Sequence, residues 1–193
     1  MNKVDLVALG FLIREPMHGY QIAEFFEKRG IEFWIKIKMP SVYKALTRLE
    51  ESGHLVGRVE VDESNRARKV YSITESGKIY FQELLDEIFL SEKFVSPFDF
   101  WNAFRFLEGN VTQDYFIEMI KHRQMLMLQH HHEMEEKRKC HEEHFTDAPL
   151  PFYLRMLFQN LSKMKEHELN MLDEILSAAI LPENASVFKK VGE

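Results

Sequence analysis

Apolar residues recur at helical spacing from the start of the chain. Val4, Leu6, Val7, Leu9 and Leu12 predict a helix over about Lys3 to Arg14, which Glu15 and Pro16 end. Gly10 inside it costs about 1 kcal/mol relative to Ala, tolerable where a second helix crosses. The segment HGYQIAEFFEKRG predicts another helix with Ile22, Phe25 and Phe26 inward and Gly30 as its stop. After Pro40, SVYKALTRLEESG puts Val42, Ala45, Leu46 and Leu49 on one face of a helix from Ser41 to Ser52 that Gly53 ends. Tyr43, Lys44, Thr47 and Arg48 project from the other face. The pattern then switches to period two in LVGRVEV and KVYSI, with polar DESNRA between them, which predicts a hairpin with a charged tip. Thr74 is placed to cap a fourth helix running to about Leu90, with Ile79, Leu84, Leu85 and Ile88 apolar.

Between Phe89 and Phe106 the composition changes, with seven aromatic residues in eighteen positions. Pro97 breaks this stretch, so the domain junction is read between Leu90 and Pro97. A long helix is predicted after Asn110, capped by Thr112 and running to about His144, and residues 146–151 form a turn with two prolines. A last helix from Phe152 to about Ile180 carries Leu154, Phe158, Leu161, Leu172, Ile175 and Ala179 at alternating spacings of four and three, interrupted by Lys165 and Glu168. The resulting reading is a mainly α protein with a small β-hairpin wing. It assigns residues 1–90 to a winged helix-turn-helix, 91–182 to an antiparallel helical dimerisation domain and 183–193 to a frayed tail.

Charge sharpens this division. The chain of 193 residues is formally −6, yet the stretch from Lys28 to Lys69 holds ten Lys/Arg against six Asp/Glu. Residues 1–80 sum to +2 and residues 81–193 to −8, which puts any nucleic-acid contact in the first half. A single cysteine, Cys140, excludes an intramolecular disulfide and leaves a reduced cytoplasmic thiol as the default. The apolar run from Val7 to Ile13 is too short for a membrane span and lacks a cleavage site. The expected location is therefore the cytoplasm, with no membrane partner.

The helix from Ser41 to Ser52 is built as a DNA-recognition helix is, one stripe for a core and the opposite one for a groove. The Tyr43 hydroxyl suits a phosphate near the helix start. Lys44 and Arg48 lie one turn apart; Arg48 either reads guanine O6 and N7 or pairs with Glu51 along the helix. Arg66, Arg68 and Lys69 flank the hairpin tip, where a wing lies along the backbone or minor groove, and Arg58 adds to that edge. Tyr20 is either a phosphate contact or a wedge between helices.

Two other features bear on function. His132, Glu136, Cys140 and His144 share one side of a helix. Residues eight apart are about 12 Å apart along a helix axis, too far for all four to hold one ion, so the expectation is a solvated charged helix with neither metal nor cofactor. Phe98, Trp101 and Phe104, within a chain holding ten methionines, are the candidates for an apolar effector pocket. No nucleophile elbow, phosphate loop or zinc-protease pattern is present, so no enzyme is expected.

The stretches LVALGFLIREPMHGYQIAEFF, PSVYKALTRLEESGHLVG and RKVYSITESGK together resemble the PadR family of bacterial winged-helix transcriptional regulators. The resemblance rests on Leu9, Gly10, Pro16, His18, Gly19 and Tyr20, then on Ser41, Tyr43, Leu46, Leu49, Glu50 and Gly53, and finally on Arg68, Lys69, Tyr71, Thr74 and Gly77. The acidic second half is similar in pattern and length to the long helical C-terminal domain of one PadR subgroup. FWIKIKM departs from the family pattern. The resemblance implies a homodimer on double-stranded DNA, bound to an inverted repeat and released by a small apolar or aromatic effector, with Ser41 joining the DNA contacts. Leu154, Phe158, Leu161, Leu172 and Ile175 are the expected dimer contacts. A protein-interaction module and a metal- or redox-responsive regulator are the alternatives.

Overall fold

The computed structural model describes residues 2–28, 37–61, 67–144 and 151–189, with all side chains among them except those of residues 26, 27, 137, 138 and 140–144. The chain divides into two compact units, Met1–Ile88 with Ser96–Phe106, and Phe89–Val95 with Leu107–Glu193.

The first unit begins with α1 (Lys3–Leu12), whose first turn is closed by Asn2 accepting a hydrogen bond from the Asp5 N–H. Leu6, Val7, Ala8, Leu9 and Leu12 are buried. The strand β1 (Met17–His18) leads into α2 (Gly19–Lys28). Next comes α3 (Met39–Glu51), which starts two residues earlier than its apolar stripe suggests because Pro40 occupies the first turn, where its fixed φ is already helical. Val42, Ala45, Leu46 and Leu49 face the core as expected. Gly53 follows at φ 77°, the left-handed conformation that ends a helix without strain on a side chain.

The strands β2 (Leu55–Val61) and β3 (Ala67–Ile73) pair antiparallel with Leu55 opposite Ile73 and Val61 opposite Ala67. The sheet order is β1-β3-β2, because Met17 and His18 pair with Tyr71 and Val70. Two residues are too few to carry a strand period, so β1 has no signature in the sequence. The fourth helix, α4 (Glu75–Phe89), is capped by Thr74 as predicted: the Thr74 hydroxyl accepts from the Gly77 N–H at 3.0 Å and donates to the Gly53 carbonyl at 2.8 Å. A Cβ on Gly77 would lie 2.1 Å from the His54 carbonyl oxygen, so this junction of α4 with the α3–β2 turn requires glycine.

The aromatic stretch departs from expectation. Ser96 caps a short helix, α5 (Pro97–Ala103), followed by a 3-10 turn over Phe104–Phe106. This segment packs with the first unit: Lys3 bonds Asp99 at 2.5 Å, and a Cβ on Gly10 would meet the Phe106 ring at 2.3 Å. The neighbour that needs Gly10 is thus an aromatic ring, where a crossing helix was expected. A single cut between Leu90 and Pro97 does not describe the chain, since residues 89–95 join the second unit and 96–106 return to the first.

The second unit is built on α6 (Gln113–His144), capped by Thr112, and α7 (Phe152–Ala179). Met119, Ile120, Met127 and Leu172 are buried. Residues 183–189, within the tail 183–193 expected to be frayed, form defined structure instead. A 3-10 helix over Pro182–Val187 brings the Val187 carbonyl to the Gly109 N–H at 2.9 Å, the Lys189 N–H to the Val111 carbonyl at 2.8 Å, and Phe188 against Phe116 at 5.3 Å. Among the described residues, no helix is long and apolar enough to cross a membrane.

Candidate nucleic-acid interface

The buried stripe of α3 fixes which side chains it presents outward. Ser41, Tyr43, Lys44, Thr47 and Arg48 are all exposed, but three of them already have intramolecular partners. Tyr43 lies against Gly19, and its hydroxyl donates to the Gly19 carbonyl at 3.2 Å, tying α3 to the start of α2. The Thr47 hydroxyl donates to the Tyr43 carbonyl one turn back at 3.2 Å. Arg48 forms an ion pair with Asp5 of α1.

Arg48 thus pairs with Asp5 of α1, where a pair with Glu51 along its own helix was one of the two expectations. The Asp5 side chain is only 3% exposed, while that of Arg48 is 50% exposed. The second Asp5 oxygen accepts from the Tyr80 hydroxyl of α4 at 3.1 Å. A carboxylate so far from water is tolerated only when paired and hydrogen-bonded. Burial raises the Tyr80 hydroxyl above the usual tyrosine range, and the adjacent Asp5 charge and hydrogen bond push it the same way. Asp5 therefore seats α3 on α1 and α4 through Arg48 and Tyr80. Sequence reasoning missed it because a carboxylate in an N-terminal helical turn is ordinarily solvated.

Tyr20 is 47% exposed and stacks on His18 with ring centres 5.4 Å apart, and the Arg68 guanidinium covers its ring at 4.6 Å. Such a cation–π contact orients the guanidinium. On the same hairpin, Lys69 Nζ lies 2.6 Å from Glu50 Oε2 at the end of α3. The Glu50 hydrogen bond holds the Lys69 ammonium above the usual lysine value, against a smaller opposing effect of burial. Arg58 is exposed on β2, and Arg66 lies outside the described residues. Ser41 and Lys44 of α3 and Arg58 of the hairpin are exposed on one unit and are donors of the kind a phosphate backbone accepts from.

The remaining expected residues fall elsewhere. Phe98 is 46% exposed, while Trp101 and Phe104 are half-buried with ring centres 4.8 Å apart, both against Phe100. A cavity near this helix, lined by Leu6, Val7, Ile88, Ala103 and Phe106 among others, holds about 20 Å³, no more than a water. Of the expected dimer contacts, Leu172 is fully buried within its own unit and is core; Leu154, Phe158 and Ile175 are half-buried and Leu161 is 46% exposed. Among the described residues, no three or more His, Cys, Asp or Glu side chains converge to hold a metal ion. The side chains of Cys140 and His144 lie outside those described.

Residues 8–83 match the family model of the Transcriptional regulator PadR-like family. The matched stretch is similar to the PadR-like family. That family is one of transcriptional regulators, not enzymes. The Negative transcriptional regulator PadR of Bacillus subtilis is 30% identical over 86 residues, a match that spans 45% of this chain and 45% of that protein. Among solved structures, Bacillus subtilis PadR in complex with operator DNA aligns with 92% of this chain and 99% of its own, at 17% identity and a TM-score of 0.41. A transcriptional regulator from Clostridium thermocellum aligns with 43% of this chain and 79% of its own, at 29% identity and a TM-score of 0.38.

Proposed function

We propose that the chain is a cytoplasmic, homodimeric, sequence-specific DNA-binding repressor that recognises an inverted repeat and is released by a small apolar or aromatic effector. The observation that carries this is the outward face of the PadR-like α3, where Ser41, Tyr43, Lys44 and Thr47 are exposed, on the same unit as a hairpin bearing Arg58 and Arg68. Lys44, Ser41 and Thr47 face the groove in this reading, and Tyr20, Tyr43 and the wing cations Arg66 and Arg68 meet the backbone. Arg48 positions α3 through Asp5.

One such helix reads only a few base pairs, so specificity calls for a second copy, with half-sites about 34–36 Å apart. The support for a dimer is the first half of α7, where Phe152, Tyr153, Met156, Leu157, Leu161 and Met164 are each 46% to 68% exposed. An apolar stripe of this extent on a charged helix marks an interface. Repression is favoured by the Bacillus subtilis relative, which is a negative regulator. The proposed effector contacts remain Phe98, Trp101 and Phe104.

Selection from genomic fragments with the purified protein is expected to return an inverted repeat. Electrophoretic titration should then show affinity falling steeply with salt, and Lys44→Gln, which removes one cation from each of two copies, should flatten the log–log salt slope by about 1.8. Failure to enrich any repeat, or affinity indifferent to salt, would refute the proposal.

A further inference from the structure

Lys69 and Glu50 meet over a site that only glycine leaves open. Gly57 of β2 lies beneath the pair, and a Cβ built there would come 2.1 Å from Lys69 Cε and 2.5 Å from Glu50 Oε1. Lys69 therefore lies across the neighbouring strand, over Gly57, to reach a carboxylate on the end of α3, its Nζ 5.4 Å from the Tyr71 ring centre. Its side chain is 42% exposed and that of Glu50 is 27% exposed. A pair this accessible adds little to stability. Its larger effect is on charge, because a lysine held by an internal carboxylate does not release counterions from DNA.

We propose that Glu50 is a specificity-determining residue: it holds Lys69 away from phosphate and so withholds one sequence-independent contact from the wing. This rests on the DNA-binding reading above. Non-specific affinity is set almost wholly by such contacts, whereas specific affinity also draws on base edges. Occupying one wing cation internally thus weakens random-sequence binding proportionately more and widens the ratio between operator and random DNA. Glu50 competes with phosphate as an anion already in place.

The test measures affinity against salt on the selected repeat and on random duplex for the full chain and three variants. Glu50→Gln removes the competing charge. Gly57→Ala keeps every charge but pushes the pair apart, and the atoms it meets are the ends of flexible side chains, so the strand is preserved. Both should steepen the log–log slope by about 1.8, about 0.9 for each copy in the dimer, tighten random-duplex binding and narrow the ratio, an advantage that shrinks about tenfold between 50 and 200 mM salt. The double variant Glu50→Gln/Lys69→Gln should return to the wild-type slope. A merely structural Glu50 would instead weaken all binding and leave the slope alone. Unchanged slopes in both single variants, or a steepened slope that persists in the double variant, would overturn the proposal while leaving the DNA-binding reading intact. A wild-type protein that bound no duplex would overturn both.

Discussion

Replacing Arg48 with alanine tests whether this residue seats the recognition helix. The substitution removes the charged partner of Asp5, whose side chain is 3% exposed and, among the described residues, keeps the 3.1 Å hydrogen bond from the Tyr80 hydroxyl. Stranding a fully buried charge costs about 3–5 kcal/mol. Arg48 is itself half-exposed, so water enters the vacated space and the expected loss is smaller, about 2 kcal/mol. With a urea m-value of about 2 kcal/mol/M, the unfolding midpoint of the N-terminal unit drops by roughly 1 M. Fluorescence and circular dichroism should be followed together, since two units need not unfold in one step. The decisive reading is the double-mutant cycle. Asp5→Asn/Arg48→Ala should recover most of the loss because no buried charge is left unpaired. A single variant within about 0.5 kcal/mol of wild type, or fully additive effects, would show that the pair does not anchor α3. Arg48→Ala should also weaken binding to all duplexes alike; relaxed preference at one base of each half-site would mean that Arg48 reads sequence.

The second unit has its own buried cation. Arg123 is 2% exposed, donates to Glu168 at 2.8 and 3.1 Å and to the Val95 carbonyl at 2.5 Å, and sits 4.2 Å from the Phe94 ring centre. Arg123→Ala should destabilise this unit by about 3 kcal/mol in urea titration, and a loss under about 1 kcal/mol would contradict that role. Leu161→Glu places charge on the exposed stripe of α7 and should convert a dimer to a monomer by light scattering; an unchanged mass would remove α7 from the interface. Tyr80 should ionise above its ordinary 10.0 in ultraviolet titration against a Tyr80→Phe control, and Asp5→Asn should lower that value. Because folding favours the neutral hydroxyl, this contribution to stability is complete below pH 10.0 and is lost as pH rises through the folded value. A Tyr80 that ionised at or below 10.0 would contradict the buried contact.

Much of the fold follows from local rules. The stripe Val42, Ala45, Leu46 and Leu49, the alternation in β2 and β3, the caps at Thr74 and Thr112 and the left-handed Gly53 are each decided within one element or its immediate flank, so periodicity and capping chemistry suffice to place them. The same holds for the exposed face of α3, which is the complement of its buried one. The sequence alone thus determined a winged-helix unit with a cationic face, followed by long acidic helices. Other features depend on residues distant in the chain. The strand β1 exists through pairing with Val70 and Tyr71, α5 and the turn after it pack back onto α1, and residues 182–189 close on Val111 and Phe116. The partners of the site's charges were decided in the same way: Arg48 by Asp5, 43 residues away, and Lys69 by Glu50, 19 residues away. A side chain's type and spacing state which contacts it is able to make. Only the packing that excludes water from Asp5 and leaves Gly57 bare decides which of them it does make.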